Sequence, residues 1–201
     1  MSFTFTQLSG GLSKRFGSDK TKALYNGKEL YIYGLETGLK VSSDVLHLSK
    51  DKNKYKPFLD NVSYIEDEYD VVCPMSGLIT AGKHAKFDNI FVISADAPKI
   101  TPELIYFLEK KMKSNGATDY DAVIPEFNGK LYTLSAMYKK HVLLSFIDDY
   151  NLGKYKIITS LENFNVAIIK EEELQSMGFS KSLFTNINFE KDLRDLEESN
   201  S

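Results

Sequence analysis

Apolar and polar positions alternate along this chain with two periods, one typical of strands and one typical of helices. The strongest strand signal, the apolar run at residues 89–95, predicts a strand covered on both faces, as in a parallel sheet. Residues 3–8 alternate Phe and Thr before Leu8 and predict a strand near the start of the chain. Further strands are expected over residues 44–49, 62–65, 122–125, 131–137, 157–158 and 166–169. Helices are expected over residues 28–40, 78–84, 101–112, 139–150, 170–177 and 189–196.

Strands that alternate with helices at this spacing predict a parallel or mixed sheet with helices on both of its faces. The chain has 201 residues and shows no internal repeat, low-complexity segment or linker. That length is enough for one domain with a substantial core. We therefore expect a single α/β domain over residues 1–201, with three layers in the order α/β/α.

Phosphate-binding chemistry is concentrated in one loop that follows the first predicted strand. Its sequence is Leu8-Ser-Gly-Gly-Leu-Ser-Lys-Arg-Phe-Gly-Ser-Asp-Lys20. Glycines bring backbone N–H groups close to a ligand, and Arg and Lys add charge-assisted hydrogen bonds to phosphate oxygens. The spacing of the glycines excludes both the Walker loop and the dinucleotide fingerprint. We interpret the loop as a triphosphate site, and a Gly-rich surface turn with solvated cations is the alternative.

Acidic residues follow two of the other predicted strands. Glu66-Asp67 comes after the strand expected over residues 62–65, and Asp96 ends the apolar run. Ligands of open α/β sheets bind beyond the carboxyl ends of the strands. Mg²⁺ typically takes one or two protein carboxylates and completes its coordination with phosphates and water. Asp96 is therefore a candidate Mg²⁺ ligand, and a turn or helix-capping aspartate is the alternative.

The remaining composition narrows the function classes. The formal net charge of −3 gives no basic field for nucleic acid, so no nucleic-acid partner is expected. The single cysteine, Cys73, rules out an intramolecular disulfide and a cysteine zinc cluster. We interpret the three scattered histidines as core or surface residues and the Lys-rich stretch 50–56 as a solvated loop. Without a signal-peptide pattern or an apolar run of about 18 residues, we expect a cytoplasmic protein with no membrane partner.

The loop resembles the Leu-Ala-Gly-Gly-x-Ser-x-Arg-x-Gly-x-Asp-Lys segment of the molybdenum cofactor guanylyltransferases, which are MobA-like nucleotidyltransferases. Four later segments are similar to motifs of the same family and occur in the same order, so that the resemblance covers nearly the whole chain. They are Pro74-Met-Ser-Gly77, Ala95-Asp-Ala-Pro98, Thr133-Leu-Ser-Ala-Met137, and Asn186-Ile-Asn188 followed by Asp192-Leu193.

This resemblance implies the Rossmann-like, mostly parallel sheet of the nucleotidyltransferases. It also implies Mg²⁺-dependent transfer of GMP from GTP to the terminal phosphate of molybdopterin, which releases pyrophosphate. The implied protein partners are a molybdenum-inserting enzyme or client molybdoenzymes. By the resemblance, catalysis involves Arg15, Lys20 and Asp96, of which Asp96 binds Mg²⁺. The nucleotide contacts Leu8, Ser9, Gly10, Gly11, Lys20, Asp67 and Asp96, and the pterin side carries Asn186 and Asn188.

The sequence departs from the family pattern at several positions. Ser9 replaces Ala in the loop, and the family's Asn after the second strand has no match, because Leu48 and Ser49 stand there. Lys22 competes with Lys20 as the phosphate ligand, although Lys20 keeps the spacing of the motif.

Other functions are compatible with the same motifs. They are a cytidylyltransferase acting on the same pterin, a transferase that makes a nucleotide sugar or nucleotide alcohol, and a non-catalytic nucleotide-binding module. The paired glycines and Pro74-Met-Ser-Gly77 favour the guanine branch. The retention of both Lys20 and Asp96 favours catalysis over binding alone.

Overall fold

The computed structural model describes residues 2–9, 20–113 and 119–187, and of Lys20 it describes only the backbone. The strands are β1 (Phe3–Ser9), β2 (Leu24–Tyr25), β3 (Lys28–Glu29), β4 (Val45–Ser49), β5 (Val62–Glu66), β6 (Asn89–Ser94), β7 (Ala122–Phe127), β8 (Lys130–Leu131), β9 (Ser135–Lys139) and β10 (Val166–Ile169). The helices are α1 (Leu30–Val41), α2 (Pro74–His84), α3 (Pro102–Lys111), α4 (Lys140–Asn151), α5 (Ile157–Ser160) and α6 (Glu171–Ser176). Short 3-10 helices cover Lys20–Lys22, Lys52–Tyr55 and Lys181–Phe184.

A central sheet has the strand order β10-β7-β9-β6-β1-β4-β5, and β8 pairs with β7. Strands β5, β4, β1 and β6 are parallel to one another, and β10 is parallel to β7. Strand β9 is antiparallel to both of its neighbours, β6 and β7. The short strands β2 and β3 form a separate antiparallel pair. The prediction of a mostly parallel sheet is confirmed.

Helices cover both faces of this sheet and produce the three predicted layers. On central strand β6, Phe91 and Ile93 face the core that contains α1 and α3, whereas Ile90 and Val92 face the core that contains α2 and α4. These four side chains are fully buried. A strand covered on both faces has no polar side to alternate with, which explains its continuous apolar run.

Helix α1 approaches strand β1 closely at two glycines one helical turn apart. A Cβ atom at Gly38 would lie 2.5 Å from Cδ1 of Phe5, and a Cβ atom at Gly34 would meet the side-chain amide of Gln7. The absence of side chains at these two positions therefore determines how near the helix lies to the sheet. These contacts place the second and third turns of α1 against Gln7 and Phe5 of β1.

Two expectations about secondary structure are wrong. Residues 131–137 do not form one strand, because the chain turns at Tyr132, whose carbonyl accepts from Ser135 N at 3.0 Å, before β9 begins. Residues 157–158 start helix α5 instead of a strand. In this segment Ile157, Ser160 and Leu161 are buried, and the i, i+3, i+4 spacing is that of one helix face.

The other differences concern element boundaries. Helix α2 begins at Pro74, four residues earlier than expected, and proline is well suited to the first position of a helix. The helix expected over residues 28–40 begins at Leu30, after the short strand β3. The helix expected over residues 189–196 lies outside the described residues. In the described part of the chain, no helix combines the length and apolar character needed to cross a membrane.

Candidate active site

The carboxyl ends of four parallel strands meet at one edge of the sheet. Ser9 of β1 is in register with Ser49 of β4, which is in register with Glu66 of β5, and Leu8 is in register with Ser94 of β6. The next residues continue the ladder, since Asp67 N donates to the Ser49 carbonyl at 2.8 Å and Ala95 N donates to the Leu8 carbonyl at 2.9 Å. The fold therefore brings Leu8 and Ser9, at the start of the predicted loop, to the same edge as Asp67 and Asp96.

Backbone hydrogen bonds fix the position of Asp96 and of the residues on either side of it. Its backbone carbonyl accepts from Ile187 N at 2.9 Å, and Ala97 N donates to the Ser94 carbonyl at 3.1 Å in the preceding turn. The Ser94 hydroxyl donates to the Asp96 carboxylate. Only 3% of Asp96 is exposed, so its carboxylate occupies a well-defined place at the edge.

The carboxylate of Asp96 fits a Mg²⁺ site in which most of the metal ligands come from the phosphates of the substrate and from water. A carboxylate is a hard oxygen ligand, as Mg²⁺ prefers. The described residues contain no group of three or more His, Cys, Asp and Glu side chains arranged to hold a metal. A site with one protein carboxylate matches the Mg²⁺ sites in which phosphates and water supply the remaining ligands.

Asp67 has a carboxylate that is already engaged by its own chain. The Ser76 hydroxyl donates to it at 2.6 Å, Thr80 Oγ1 at 3.3 Å and Tyr69 N at 3.1 Å. Lys50 Nζ lies 3.1 Å from Oδ2, and only 8% of the Asp67 side chain is exposed. These contacts fasten the end of β5 to the first turns of α2, so Asp67 positions the Pro74-Met-Ser-Gly77 segment at the edge.

The partners of Asp67 are residues that the sequence reasoning missed. Lys50 belongs to the stretch 50–56, which is expected to be a solvated loop, but it pairs with Asp67 and also donates to the Tyr69 carbonyl. Ser76 and Thr80 lie four residues apart on α2, a spacing that places two polar side chains on one helix face. That spacing is the signal by which they are detectable in the sequence.

The two candidate phosphate lysines flank a buried threonine. Thr21 is the central residue of the 3-10 helix Lys20–Lys22, and only 7% of it is exposed. Lys22 Nζ lies 3.9 Å from a carboxylate oxygen of Glu29 and 6.0 Å from the ring centre of Tyr55. Lys22 thus has an acidic partner within the chain, whereas the side chain of Lys20 lies outside the described structure.

The last segment of the described chain also reaches this edge. Ile187 is tied to the backbone of Asp96, and its side chain packs against Tyr25 and Leu30. The neighbouring Asn186 is exposed. Leu8 is buried at the end of β1, and Ser9 is half-buried. Four other predicted site residues lie outside the described ranges, and these are Gly10, Gly11, Arg15 and Asn188.

The histidines occupy the positions expected of core and surface residues. His47 is fully buried in β4, and His84 is exposed at the end of α2. His141 is exposed on α4, where its Nε2 lies 3.2 Å from Asp121.

Comparison with known proteins gives the same family that the motifs suggested. A family model described as the MobA-like NTP transferase domain matches residues 8–186. A probable molybdenum cofactor guanylyltransferase of Aquifex aeolicus is 34% identical over 167 residues, which cover 82% of this chain and 79% of that protein. Another, from Thermococcus gammatolerans, is 30% identical and covers 95% of this chain and 97% of that protein.

A solved structure agrees with these sequence relatives. The crystal structure of molybdopterin-guanine dinucleotide biosynthesis protein A from Archaeoglobus fulgidus aligns with a TM-score of 0.82 at 26% identity. The alignment covers 98% of this chain and 97% of that chain. The chain belongs to the MobA-like NTP transferase family.

Proposed function

We propose that this protein is a molybdenum cofactor guanylyltransferase, which transfers GMP from GTP to the terminal phosphate of molybdopterin. The relatives from Aquifex aeolicus and Thermococcus gammatolerans are both named probable molybdenum cofactor guanylyltransferases. The observation that carries the proposal is the position of Asp96. It is a buried carboxylate at the carboxyl edge of the sheet, where the end of β1 and the start of α2 also lie.

The reaction forms one phosphorus–oxygen bond and breaks another. An oxygen of the pterin phosphate attacks the α-phosphorus of GTP, and pyrophosphate leaves with the electron pair of the α–β bridge. The acceptor phosphate is already ionised at neutral pH, so the protein needs no general base. Positioning and neutralisation of charge are therefore the main tasks of the protein.

The chain's residues would divide these tasks as follows. Asp96 would hold Mg²⁺, which when bound supplies positive charge to the phosphate oxygens. Lys20 and Arg15 would bind the triphosphate, and the backbone N–H groups of the glycine loop would add further donors. Asp67, through Lys50 and the start of α2, would shape the wall of the site on the nucleoside side.

The nucleotide that the protein binds distinguishes guanylyl transfer from the alternative nucleotidyl transfers. Calorimetric titration of GTP, CTP and ATP in the presence of Mg²⁺ should show selective, Mg²⁺-dependent binding of GTP. A turnover assay with GTP and molybdopterin should then release pyrophosphate. A preference for CTP would contradict the guanylyl assignment, and the absence of any nucleotide binding would contradict the triphosphate site.

The role of Asp96 is tested by Asp96→Asn. Removal of the charge should lower turnover roughly a hundredfold or more, because it removes electrostatic stabilisation of the reacting phosphates. The same variant should lose the Mg²⁺ dependence of GTP binding, which calorimetry measures without turnover. Asp60→Asn is the matched control, since Asp60 is exposed and precedes the amino end of β5 at the opposite edge of the sheet. Near-normal turnover in Asp96→Asn would remove Asp96 from the metal site.

A further inference from the structure

A buried polar cluster lies between the sheet and helix α1. The side-chain amide of Gln7 donates to the Tyr31 carbonyl at 2.9 Å, and its oxygen lies 2.8 Å from His47 Nδ1. These three residues are at most 3% exposed. Polar groups buried to this extent hold a unique arrangement when they are hydrogen-bonded to one another. The cluster therefore provides a rigid support on β1, β4 and α1.

Tyr55 connects this cluster to the segment that follows β4. The 3-10 helix Lys52–Tyr55 begins after Asp51, whose carboxylate accepts from Asn53 N at 3.0 Å. Its last residue, Tyr55, is 2% exposed. The Tyr55 ring meets the His47 ring edge-on at 4.3 Å and the Tyr31 ring edge-on at 4.9 Å between centroids. Such edge-to-face pairs contribute beyond the area that they bury.

The Tyr55 hydroxyl extends beyond the aromatic cluster to the predicted phosphate-binding segment. It lies 3.1 Å from Thr21 Oγ1, in a buried contact between residues 34 positions apart. Thr21 is the middle residue of the 3-10 helix Lys20–Lys22. A hydrogen bond at this point restrains the helix backbone on which both candidate phosphate lysines stand.

We infer that Tyr55 is a positioning residue, whose hydrogen bond to Thr21 holds the Lys20–Lys22 turn in the orientation that presents lysine to the GTP phosphates. The inference rests on the proposed function, because it requires Lys20 to bind the triphosphate. Tyr55 itself does not contact the reacting groups in this scheme. It acts by joining the lysine turn, Lys20–Lys22, to the buried support formed by Gln7, Tyr31 and His47.

The variant Tyr55→Phe tests this inference, since it keeps the ring and removes only the hydroxyl. The Kd and KM for GTP should rise roughly two- to tenfold, the range that the net contribution of one hydrogen bond spans. The KM for molybdopterin should stay unchanged, because the lysine turn does not bind the acceptor. A role in overall stability alone would change both substrates' constants or neither.

A matched control and a second variant are available in the same region. The ring centroids of Tyr64 and His47 lie 5.2 Å apart, so Tyr64 packs on the same cluster as Tyr55. The Tyr64 hydroxyl accepts from Leu59 N at 3.2 Å, a hydrogen bond to a residue only five positions away and not to the lysine turn. Tyr64→Phe should leave the KM for GTP unchanged. Thr21→Val removes the same hydrogen bond as Tyr55→Phe and should raise the KM for GTP by the same factor. Thr21→Ser retains a hydroxyl and should keep the KM for GTP near that of the unmodified protein.

A double-mutant cycle with Lys20→Ala separates the positioning role of Tyr55 from the phosphate-binding role of Lys20. If Tyr55 acts through Lys20, Tyr55→Phe should have little further effect on GTP affinity once Lys20 is replaced. Fully additive effects would overturn the positioning role while leaving the proposed function intact. No effect of Lys20→Ala on GTP affinity would contradict the proposed phosphate ligand itself, and the positioning role would fall with it.

Discussion

The carboxylate of Asp67 gives a sharp test of how the edge of the sheet is built, through the variant Asp67→Ala. The substitution removes an acceptor from four donors, which belong to Lys50, Tyr69, Ser76 and Thr80. Both hydroxyl donors have other acceptors in place, whereas the ammonium group of Lys50 keeps, within the described residues, only neutral carbonyl acceptors. The Ser76 hydroxyl also donates to the Cys73 carbonyl at 2.7 Å, and the Thr80 hydroxyl to the Ser76 carbonyl at 3.0 Å.

The main loss in Asp67→Ala therefore comes from Tyr69 N and from the ammonium group of Lys50. Hydrogen bonds to charged groups contribute about 1.5–3 kcal/mol each. Because 29% of the Lys50 side chain is exposed, water partly replaces its lost partner, and the lower end of that range applies. The free energy of unfolding should fall by about 3 kcal/mol, as the sum of two such bonds.

Urea denaturation followed by circular dichroism measures this change. The control is Asp88→Ala, because Asp88 pairs with Lys139 at 3.0 Å through a side chain that is 66% exposed. An exposed ion pair of this kind contributes about 1 kcal/mol or less. Because Lys50 pairs with Asp67, Asp67→Ala and Lys50→Met should show a coupling of roughly 0.5–3 kcal/mol in a double-mutant cycle.

A loss of less than about 1 kcal/mol in Asp67→Ala would refute the structural role assigned to this carboxylate. So would strictly additive effects of Asp67→Ala and Lys50→Met. Either result, combined with weakened GTP binding, would instead favour a direct contact between Asp67 and the nucleoside.

Two further predictions concern charge. Lys20→Ala should weaken GTP binding more than Lys22→Ala, since Lys22 already lies 3.9 Å from Glu29, and calorimetry showing the reverse order would move the phosphate contact to Lys22. Burial raises the pKa of Glu109 above its ordinary value, with a smaller opposing effect of Lys113, so the folded state holds this proton more tightly than the unfolded chain. Stability from the protonated carboxyl should therefore be present at low pH and lost as pH rises through the raised pKa, and Glu109→Gln should flatten that fall and stabilise the protein at neutral pH. An unchanged pH profile of urea denaturation in Glu109→Gln would contradict this account.

Much of the architecture follows from patterns within single segments. The apolar run over residues 89–95 and the alternation over residues 3–8 predict β6 and β1, and both strands form as predicted. Thr101 before Pro102 predicts the start of α3, where Thr101 Oγ1 accepts from Leu104 N at 3.5 Å. These predictions succeed because the period of a segment and the chemistry of its first turn are local properties.

The local sequence pattern does not predict secondary structure where pairing or packing with a distant segment decides it. Residues 131–137 contain enough apolar positions for a strand, but β9 is defined by its pairing with β6 and β7 and begins only at Ser135. Ile157 and Ile158 suggest a strand as an isolated pair, whereas the packing of Ile157 and Leu161 on one side selects a helix. In both cases the burial of neighbouring residues overrides the short-range signal.

The sequence by itself determined the order of the elements, the strand ends that carry Asp67 and Asp96, and the resemblance to one family. Only the tertiary structure decided which side chains meet, such as Lys50 with Asp67 and Thr21 with Tyr55. The physical reason is that periodicity along the chain reports contacts two to four residues apart. Contacts between residues 17 or 34 positions apart arise only when the parallel strands align their carboxyl ends.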